Sequence, residues 1–573
     1  MTYPALNAEQ RTRDLAAMAE SPLDILVIGG GVTGAGIAFD AASRGLSTGI
    51  IEAQDWASGT SSRSSKLVHG GLRYLYQLDF VLVAEALRER GLLLETTAPH
   101  LVSAQPFLWP LKTPVIERSY SAIGVGMYDA MAQFAHRGSV PIQKHLSKRK
   151  TLEVFPDIKA DQVIGAIRFY DARVDDARLV VTLVRSAVAA GGMAASRAQA
   201  TEILKDGERV IGARVEDLET GEIHDIYARH VIAAAGVWTE KVQNLVGVEG
   251  GLKVLASKGI HIVVPKDRID GTTGLFLRTE KSVLFIIPWE RYWVIGTTDT
   301  EYTEDLRHPV ADAADIDYIL DHANAVLANR LTRSDIIGVY AGLRPLLKPV
   351  AKDGSSAQST KVSREHTVAE IAPGMSTIAG GKLTTYRVMA ADAVDFALGR
   401  GDAERHPCVT DVTPLAGAEG FHALKNRVPY LSKKLQVDAE QVDRLLHRYG
   451  THVEALADLI ADDPQLAQPI PGLEPYIGAE IAFAVTHEGA LHLEDVMMNR
   501  TRANYEFTDR GLGAADAVAA IMAPLLGWDE DALAHEIDIY TQRCEAQEAA
   551  ESIPSEPDAC ARRLEADDIT PMR

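Results

Sequence analysis

One stretch near the start of the chain constrains its fold more than any other: Asp24-Ile25-Leu26-Val27-Ile28-Gly29-Gly30-Gly31-Val32-Thr33-Gly34-Ala35-Gly36. The apolar run Ile25 to Ile28 reads as a buried parallel strand. It passes directly into Gly29-x-Gly31-x-x-Gly34, and the next residues, Ala35 to Arg44, are small and helix-compatible. A second apolar strand, Leu46 to Ile51, ends at Glu52. A bare glycine pattern would be a turn and nothing more. Strand, turn, helix, second strand and terminal acid together are the βαβ dinucleotide fingerprint. In it Gly29 makes the tight turn, Gly31 lets the backbone approach a pyrophosphate, and Gly34 lets helix and strand pack closely. The helix N-terminus offers N–H groups and partial positive charge to the phosphates. Glu52 is placed to accept hydrogen bonds from a ribose. The fingerprint alone does not separate FAD from NAD.

At 573 residues the chain has room for two to four domains, and 46% hydrophobic with 24% charged residues is a soluble globular composition. A net charge of −21 argues against a nucleic-acid partner and requires a local basic cluster for any anionic substrate. Cys408, Cys544 and Cys560 are far apart and form no CxxC, so neither a disulfide framework nor a zinc site is expected, and a reducing, cytoplasmic setting fits. No secretory signal pattern is present, and no apolar run of about 18 residues suits a membrane span.

Downstream of the fingerprint, Ala53 to Tyr74 is rich in hydroxyls and glycine and holds Arg63, Lys66, His69, Arg73 and Tyr74. On a bare surface such a stretch would be a linker. Here its small residues permit close backbone approach, and hydroxyls can bond phosphates and flavin edges. Phe80 to Thr96 has the period of an amphipathic helix. The run GTSSRSSKLVHGGLRYL after GGGVTGAG resembles the FAD-dependent glycerol-3-phosphate dehydrogenase family. Further blocks follow in the family's order across residues 22 to 390: VDDARL at 174–179, AAAGVW at 233–238, KGIHIVVP at 258–265, IIPW at 286–289, GTTD at 296–299, GLRPL at 342–346 and GGKLTTYR at 380–387. The departure is Ala233, where the family commonly has asparagine; that loop acts mainly through its backbone.

The resemblance implies an α/β plus α architecture: a Rossmann-like FAD-binding domain interleaved with an antiparallel-sheet substrate domain, then a C-terminal helical domain. The FAD parts are expected near 20–75, 165–240 and 355–400, and the substrate parts near 76–164 and 241–354. Patterning supports this, with a small meander over 195–236 and strands at Gly259 to Val264, Val283 to Pro288 and Tyr292 to Gly296. Residues 401–545 read as helical, with breaks at Asp463-Pro464 and Gln468 to Gly472. The acidic tail 546–573, with Pro554 and Pro557, reads as disordered. His487 and His492 stand five apart, about 140° around a helix, which does not fit a zinc motif.

By the resemblance the reaction is oxidation of sn-glycerol 3-phosphate to dihydroxyacetone phosphate, with FAD taking the hydride and a quinone taking the electrons. FAD is expected against Gly29, Gly31, Thr33, Gly34, Glu52 and Ala53. The second expected group is Thr60, Ser61, Ser64, Lys66, Leu67 and His69. Ala235, Gly236, Trp238, Lys382, Leu383 and Thr384 form the third. Arg344, between Gly342 and Pro345, is the first choice for a clamp on phosphate or carbinol oxygen, joined by Arg73, Tyr74, Arg364 and Lys382. The base is His261, with His69 second; alternation puts His261 opposite Ile260 and Ile262. No metal is expected. All three cysteines lie beyond residue 400, which disfavours a cysteinyl flavin link. The competing readings are a peroxide-forming oxidase of the same substrate, an FAD-dependent oxidase of another small hydroxy or amino acid, and a flavin-binding regulator without turnover. The basic-flanked apolar segment Tyr120 to Phe134 suggests peripheral contact with the inner face of the cell membrane. A homodimer is compatible with the reading.

Overall fold

The computed structural model describes residues 5–71, 79–113, 126–128, 131, 140–247, 251–278, 283–348 and 366–572. The fingerprint strand, Leu23–Ile28, is central to an eight-stranded sheet. It pairs in parallel with Thr48–Ile51 on one side and with the end of Ile223–Ala233 on the other. Beyond these lie Met193–Ala195 at one edge, and Met375–Gly380 then His366–Ala372 at the other. The central strands are apolar throughout because both faces are covered. Ile25 and Val27 meet the helices Val32–Ser43, Asp176–Ala189 and Tyr386–Leu398. Leu23, Leu26 and Ile28 face the meander and Leu15 and Met18 of the leading helix, Ala8–Glu20. The strand Ile223–Ala233 serves two pairings: Ile223 to Tyr227 run antiparallel to Arg209–Asp217, and Ala228 to Ala233 parallel to the fingerprint strand.

Among the described residues the second sheet has ten strands and is antiparallel except where Gly274–Arg278 runs parallel to Val102–Leu111. Its longest strand, Val254–Pro265, lies between Tyr292–Gly296 and Gly338–Leu347. Two pieces expected in the FAD domain belong here instead: Leu67–Val68 and Gly165–Val174. Gly165–Val174 pairs along its whole length with Val102–Leu111, and that ladder keeps it in this sheet. The chain crosses over at Asp175, whose carboxylate accepts the Arg178 N–H and caps the helix that returns to the first sheet.

The C-terminal part is helical, including Ala439–Tyr449, Val453–Asp462, Gly478–His487, Ala515–Leu526 and Glu530–Glu551. The expectation of a disordered tail is corrected. Glu556–Arg563 is a helix with Pro557 in its first turn, and Ala559 and Cys560 are buried. Pro557 starts this helix, since its missing N–H would be unsatisfied there anyway. Glu556 joins Asp312 and Asp315 around the buried ammonium of Lys258, so the tail docks on the second sheet. This acidic trio surrounds an amine and needs no metal ion. Most of the segment 120–134 lies outside the described residues; within it Tyr128 is fully buried and donates to Asp171.

Candidate active site

A cavity of about 430 Å³ opens at the carboxyl ends of the parallel strands, the place where open α/β sheets bind ligands. It is bounded by Gly29, Gly31 and Thr33, by Glu52 and Ala53, by Thr60 and Ser61, by Ala235, Gly236 and Trp238, and by Lys382 and Leu383. The glycines are built to interlock. A Cβ on Gly34 would lie 1.8 Å from the Gly29 carbonyl oxygen, and one on Gly29 2.6 Å from that of Ala234. Gly34 therefore packs helix on strand and does not itself line the cavity. Around Gly31, among the described residues and apart from its chain neighbours, such a Cβ meets Ser61 Oγ at 3.1 Å. Ser61 Oγ in turn accepts the Val32 N–H at 2.9 Å.

Glu52 accepts the N–H of Gly30 on one oxygen and of Gln54 on the other, at 2.5 and 2.8 Å. Burial raises its pKa, against those two hydrogen bonds. A carboxylate so held keeps lone pairs for ribose hydroxyls. A helix start aimed at the cavity, a fixed acceptor and walls without bulk are the donor set a dinucleotide needs, so FAD fits these residues. The wall also includes residues that the motifs did not indicate: Ala198 to Thr201, Lys241 and Met572. Strand ends far apart in sequence carry no local signature of a shared cavity.

Five other expected cofactor residues do not line this cavity. Ser64 and Lys66 bond Asp176, with Lys66 Nζ 2.6 Å from its Oδ1. Burial opposes the Lys66 ammonium, but Asp176 and its neighbours offset this and leave its pKa raised. Its Nζ lies 5.2 Å from the centre of the Tyr340 ring and 5.3 Å from that of Tyr505. Leu67 packs among Val83, Leu87 and Phe169. Thr384 Oγ1 accepts the His69 N–H at 3.0 Å and lies 3.1 Å from its carbonyl oxygen. These residues fasten the 60–71 loop between the two sheets. Arg73, Tyr74 and Arg364 lie outside the described residues.

His261 and Arg344 stand on neighbouring strands, Val254–Pro265 and Gly338–Leu347. Ile260 and Ile262 enter one apolar cluster while Val263 and Tyr340 enter another, so His261 is on the face that alternation assigns. Its ring is 2% exposed, and its Nε2 is 2.8 Å from Ser65 Oγ. Its Nδ1 has no hydrogen-bond partner among the described residues. Burial, then the charges of Arg344 and Lys66, hold its pKa well below the usual value, so the imidazole is neutral at pH 7. Arg344 donates to Thr297 Oγ1 at 3.0 Å and to the Thr298 carbonyl at 3.1 Å. Gly296 and Gly259 make this spacing possible. A Cβ on Gly296 would strike the His261 ring at 2.2 Å, and one on Gly259 would strike Arg344 at 2.4 Å. Neither His261 nor Arg344 lines the dinucleotide cavity; Pro345 and Lys382 do. Lys382 caps the turn and helix that follow, after two glycines with φ near +80°.

In the helical region His492 bridges two carboxylates, Glu219 at 2.9 Å and Glu536 at 2.7 Å. Burial would lower its pKa, but the two acids hold it up to about 10, which makes it a buried cation at pH 7.

Comparison with known proteins agrees with this geometry. The family described as FAD dependent oxidoreductase matches residues 24–387. The C-terminal domain of alpha-glycerophosphate oxidase matches residues 408–533. The glycerol-3-phosphate dehydrogenase of Mycobacterium leprae is 46% identical over 99% of this chain and 96% of its own. A mitochondrial glycerol-3-phosphate dehydrogenase of Arabidopsis thaliana is 34% identical over 92% of this chain and 87% of its own. Among solved structures, that of the glycerol-3-phosphate dehydrogenase from Bacillus halodurans complexed with FAD superposes with a TM-score of 0.77 at 30% identity, covering 94% of this chain and 98% of that one.

Proposed function

The chain belongs to the FAD-dependent glycerol-3-phosphate dehydrogenase family, and from that premise we propose that it oxidises sn-glycerol 3-phosphate to dihydroxyacetone phosphate. The observation that carries the reading is the pair His261 and Arg344, which flank Gly296-Thr297 on adjacent strands next to the dinucleotide wall. FAD, when bound, supplies the hydride acceptor. The chain supplies binding, orientation and a place for the proton. Arg344 and Lys382 are the described cations that would meet the phosphate or polarise the carbinol oxygen, with Arg73, Tyr74 and Arg364 completing the set. An arginine is a poor proton acceptor, whereas a neutral imidazole is a good one. His261 would take the C2 hydroxyl proton at a ring nitrogen, with His69 as the second candidate.

Anaerobic mixing of the holoprotein with glycerol 3-phosphate tests the reaction. Bleaching of the oxidised flavin supports it, and bleaching by another hydroxy or amino acid in its place overturns it. The electron acceptor we propose is a quinone; an oxidase would form peroxide in air, and a peroxide assay separates the two. A lipid-soluble acceptor goes with peripheral attachment at the inner face of the cell membrane. No helix among the described residues is long and apolar enough to cross a membrane. Liposome flotation tests the attachment, and sedimentation tests a homodimer.

A further inference from the structure

After the helix Glu556–Arg563 the chain folds back toward the first sheet. Asp568 accepts from His308 Nε2 at 2.6 Å, and its carboxylate lies 3.5 Å from Arg543 and 3.8 Å from Arg307. His308 Nδ1 is 3.2 Å from Arg543 Nη2 and 3.5 Å from Arg563 Nη2. A neutral His308 carrying its proton on Nε2 satisfies all of these at once: it donates to Asp568 and accepts from the two guanidiniums. Two residues on, Thr570 Oγ1 accepts from Arg197 at 2.9 Å. Arg197 is fixed to the strand end beside Glu52, because its own N–H donates to the Gln54 carbonyl and that of Ala198 to the Glu52 carbonyl. Met572 then forms part of the cavity wall. A small cavity of about 40 Å³ lies under this segment and shares Gln54 and Ser58 with the large one.

We propose that Asp568 to Met572 is part of the dinucleotide site, a strap over its Glu52 end, latched by Asp568 to His308 and Arg543, that retains FAD. The proposal rests on reading the large cavity as the FAD site. The cluster beneath the strap explains why the latch is an acid. Arg63, Arg197, Arg307 and Arg543 surround the small cavity with Glu494, Asp495 and Asp568, so removing Asp568 leaves buried guanidiniums underpaired. The methionine side chain supplies apolar contact that adapts to the ligand's shape. A bound ligand must displace it to leave, which places the strap's effect on the dissociation rate.

The test uses full-length protein, a truncation ending at Asp567, and the variants Asp568→Asn and Met572→Gly. Each is stripped of flavin, reloaded with FAD and followed by the rise in flavin fluorescence on dilution. Release about tenfold faster is expected in the truncation, with a weakened Kd and an unchanged KM for substrate, and smaller increases in both point variants. A truncation that keeps its apoprotein Tm and releases FAD within twofold of full-length protein overturns the strap. If the truncation does not fold, Met572→Gly decides in its place, because it leaves the Asp568 latch intact. Full-length protein that takes up no FAD overturns the cavity reading, and the strap with it.

Discussion

His261 lies flat on Tyr340, with ring centroids 4.8 Å apart and planes 14° from parallel. The two residues face each other across the ladder between Val254–Pro265 and Gly338–Leu347. Tyr340 in turn donates its hydroxyl to the Ser64 carbonyl at 3.0 Å. The imidazole therefore sits between a strand and the loop that follows the dinucleotide turn. Its orientation is set by stacking and by Ser65 at Nε2, which leaves Nδ1 as the ring nitrogen without a partner among the described residues.

Replacing His261 by asparagine is expected to lower kcat by roughly 10²–10⁴-fold with FAD still bound. Because the His261 pKa lies well below 6.5, the base form is present throughout neutral pH, and the acid limb of kcat/KM falls below that value. Steady-state kinetics across pH checks this. A variant that keeps both kcat and the limb, while His69→Asn loses them, reverses the two roles.

Arg344→Lys keeps a charge but loses one arm of the fork that reaches Thr297 Oγ1 and the Thr298 carbonyl from a single nitrogen. A fall of about tenfold in kcat/KM is expected for lysine and about a hundredfold or more for leucine. Flavin absorbance should be unchanged in both, since Arg344 does not line the cavity. Leucine at 344 with kcat/KM within a few-fold of the unmodified enzyme would remove Arg344 from the site.

Two glycines of the fingerprint should fail differently. Gly34→Val drives a side chain into the Gly29 carbonyl and breaks the contact between strand and helix, so soluble yield and Tm fall. Gly31→Val meets little protein beyond Ser61 Oγ and should give folded protein that purifies colourless. Circular dichroism with flavin absorbance separates the two outcomes. Full flavin occupancy in Gly31→Val would refute the placement of the pyrophosphate.

Stability should decline as the medium is acidified below pH 6.5. Burial first, with neighbouring cations, lowers His100 to about 3, His230 to about 4, His308 to about 3, His452 to about 2 and His487 to about 4. For each, the unfolded chain binds the proton first, so the stability it lends is lost as pH falls below 6.5, by about 1 kcal/mol apiece near pH 5.5. His492 has the opposite sign. Its pKa is raised to about 10, so its contribution is complete below 6.5 and fades as pH rises through 10. A Tm series from pH 5.5 to 10 on the unmodified protein and on His492→Gln reads both slopes.

Where local pattern and tertiary pairing agree, the fold was legible. The fingerprint strand, the meander over 195–236 and the face carrying His261 all follow from period-two or continuous apolar runs. The boundary near residue 165 was not, because Gly165–Val174 alternates as an edge of either sheet would, and a ten-residue ladder decides which. The tail was misread for a different reason. Its acidic, proline-bearing composition is that of a disordered chain, but the partners of its charges, Lys258, His308 and Arg543, lie tens to hundreds of residues away. Lys66 and Arg344 show the same limit within the site. Their residue types point to anion binding, and only the structure distinguishes an amine 2.6 Å from buried Asp176 from a guanidinium that lies 3.4 Å from Asp299 and donates to Thr297 Oγ1 and the Thr298 carbonyl.

The first sheet places Ile223–Ala233 between Leu23–Ile28 and Met375–Gly380. On a ribosome adding about 5–20 residues each second, the last of these strands emerges on the order of tens of seconds after the first. During that interval Ile223–Ala233, paired with the fingerprint strand on one side, waits for the partner of its other side. The nascent chain should therefore depend on chaperone binding to its first half, and slowed synthesis before residue 375 should raise aggregation more than slowed synthesis after residue 400.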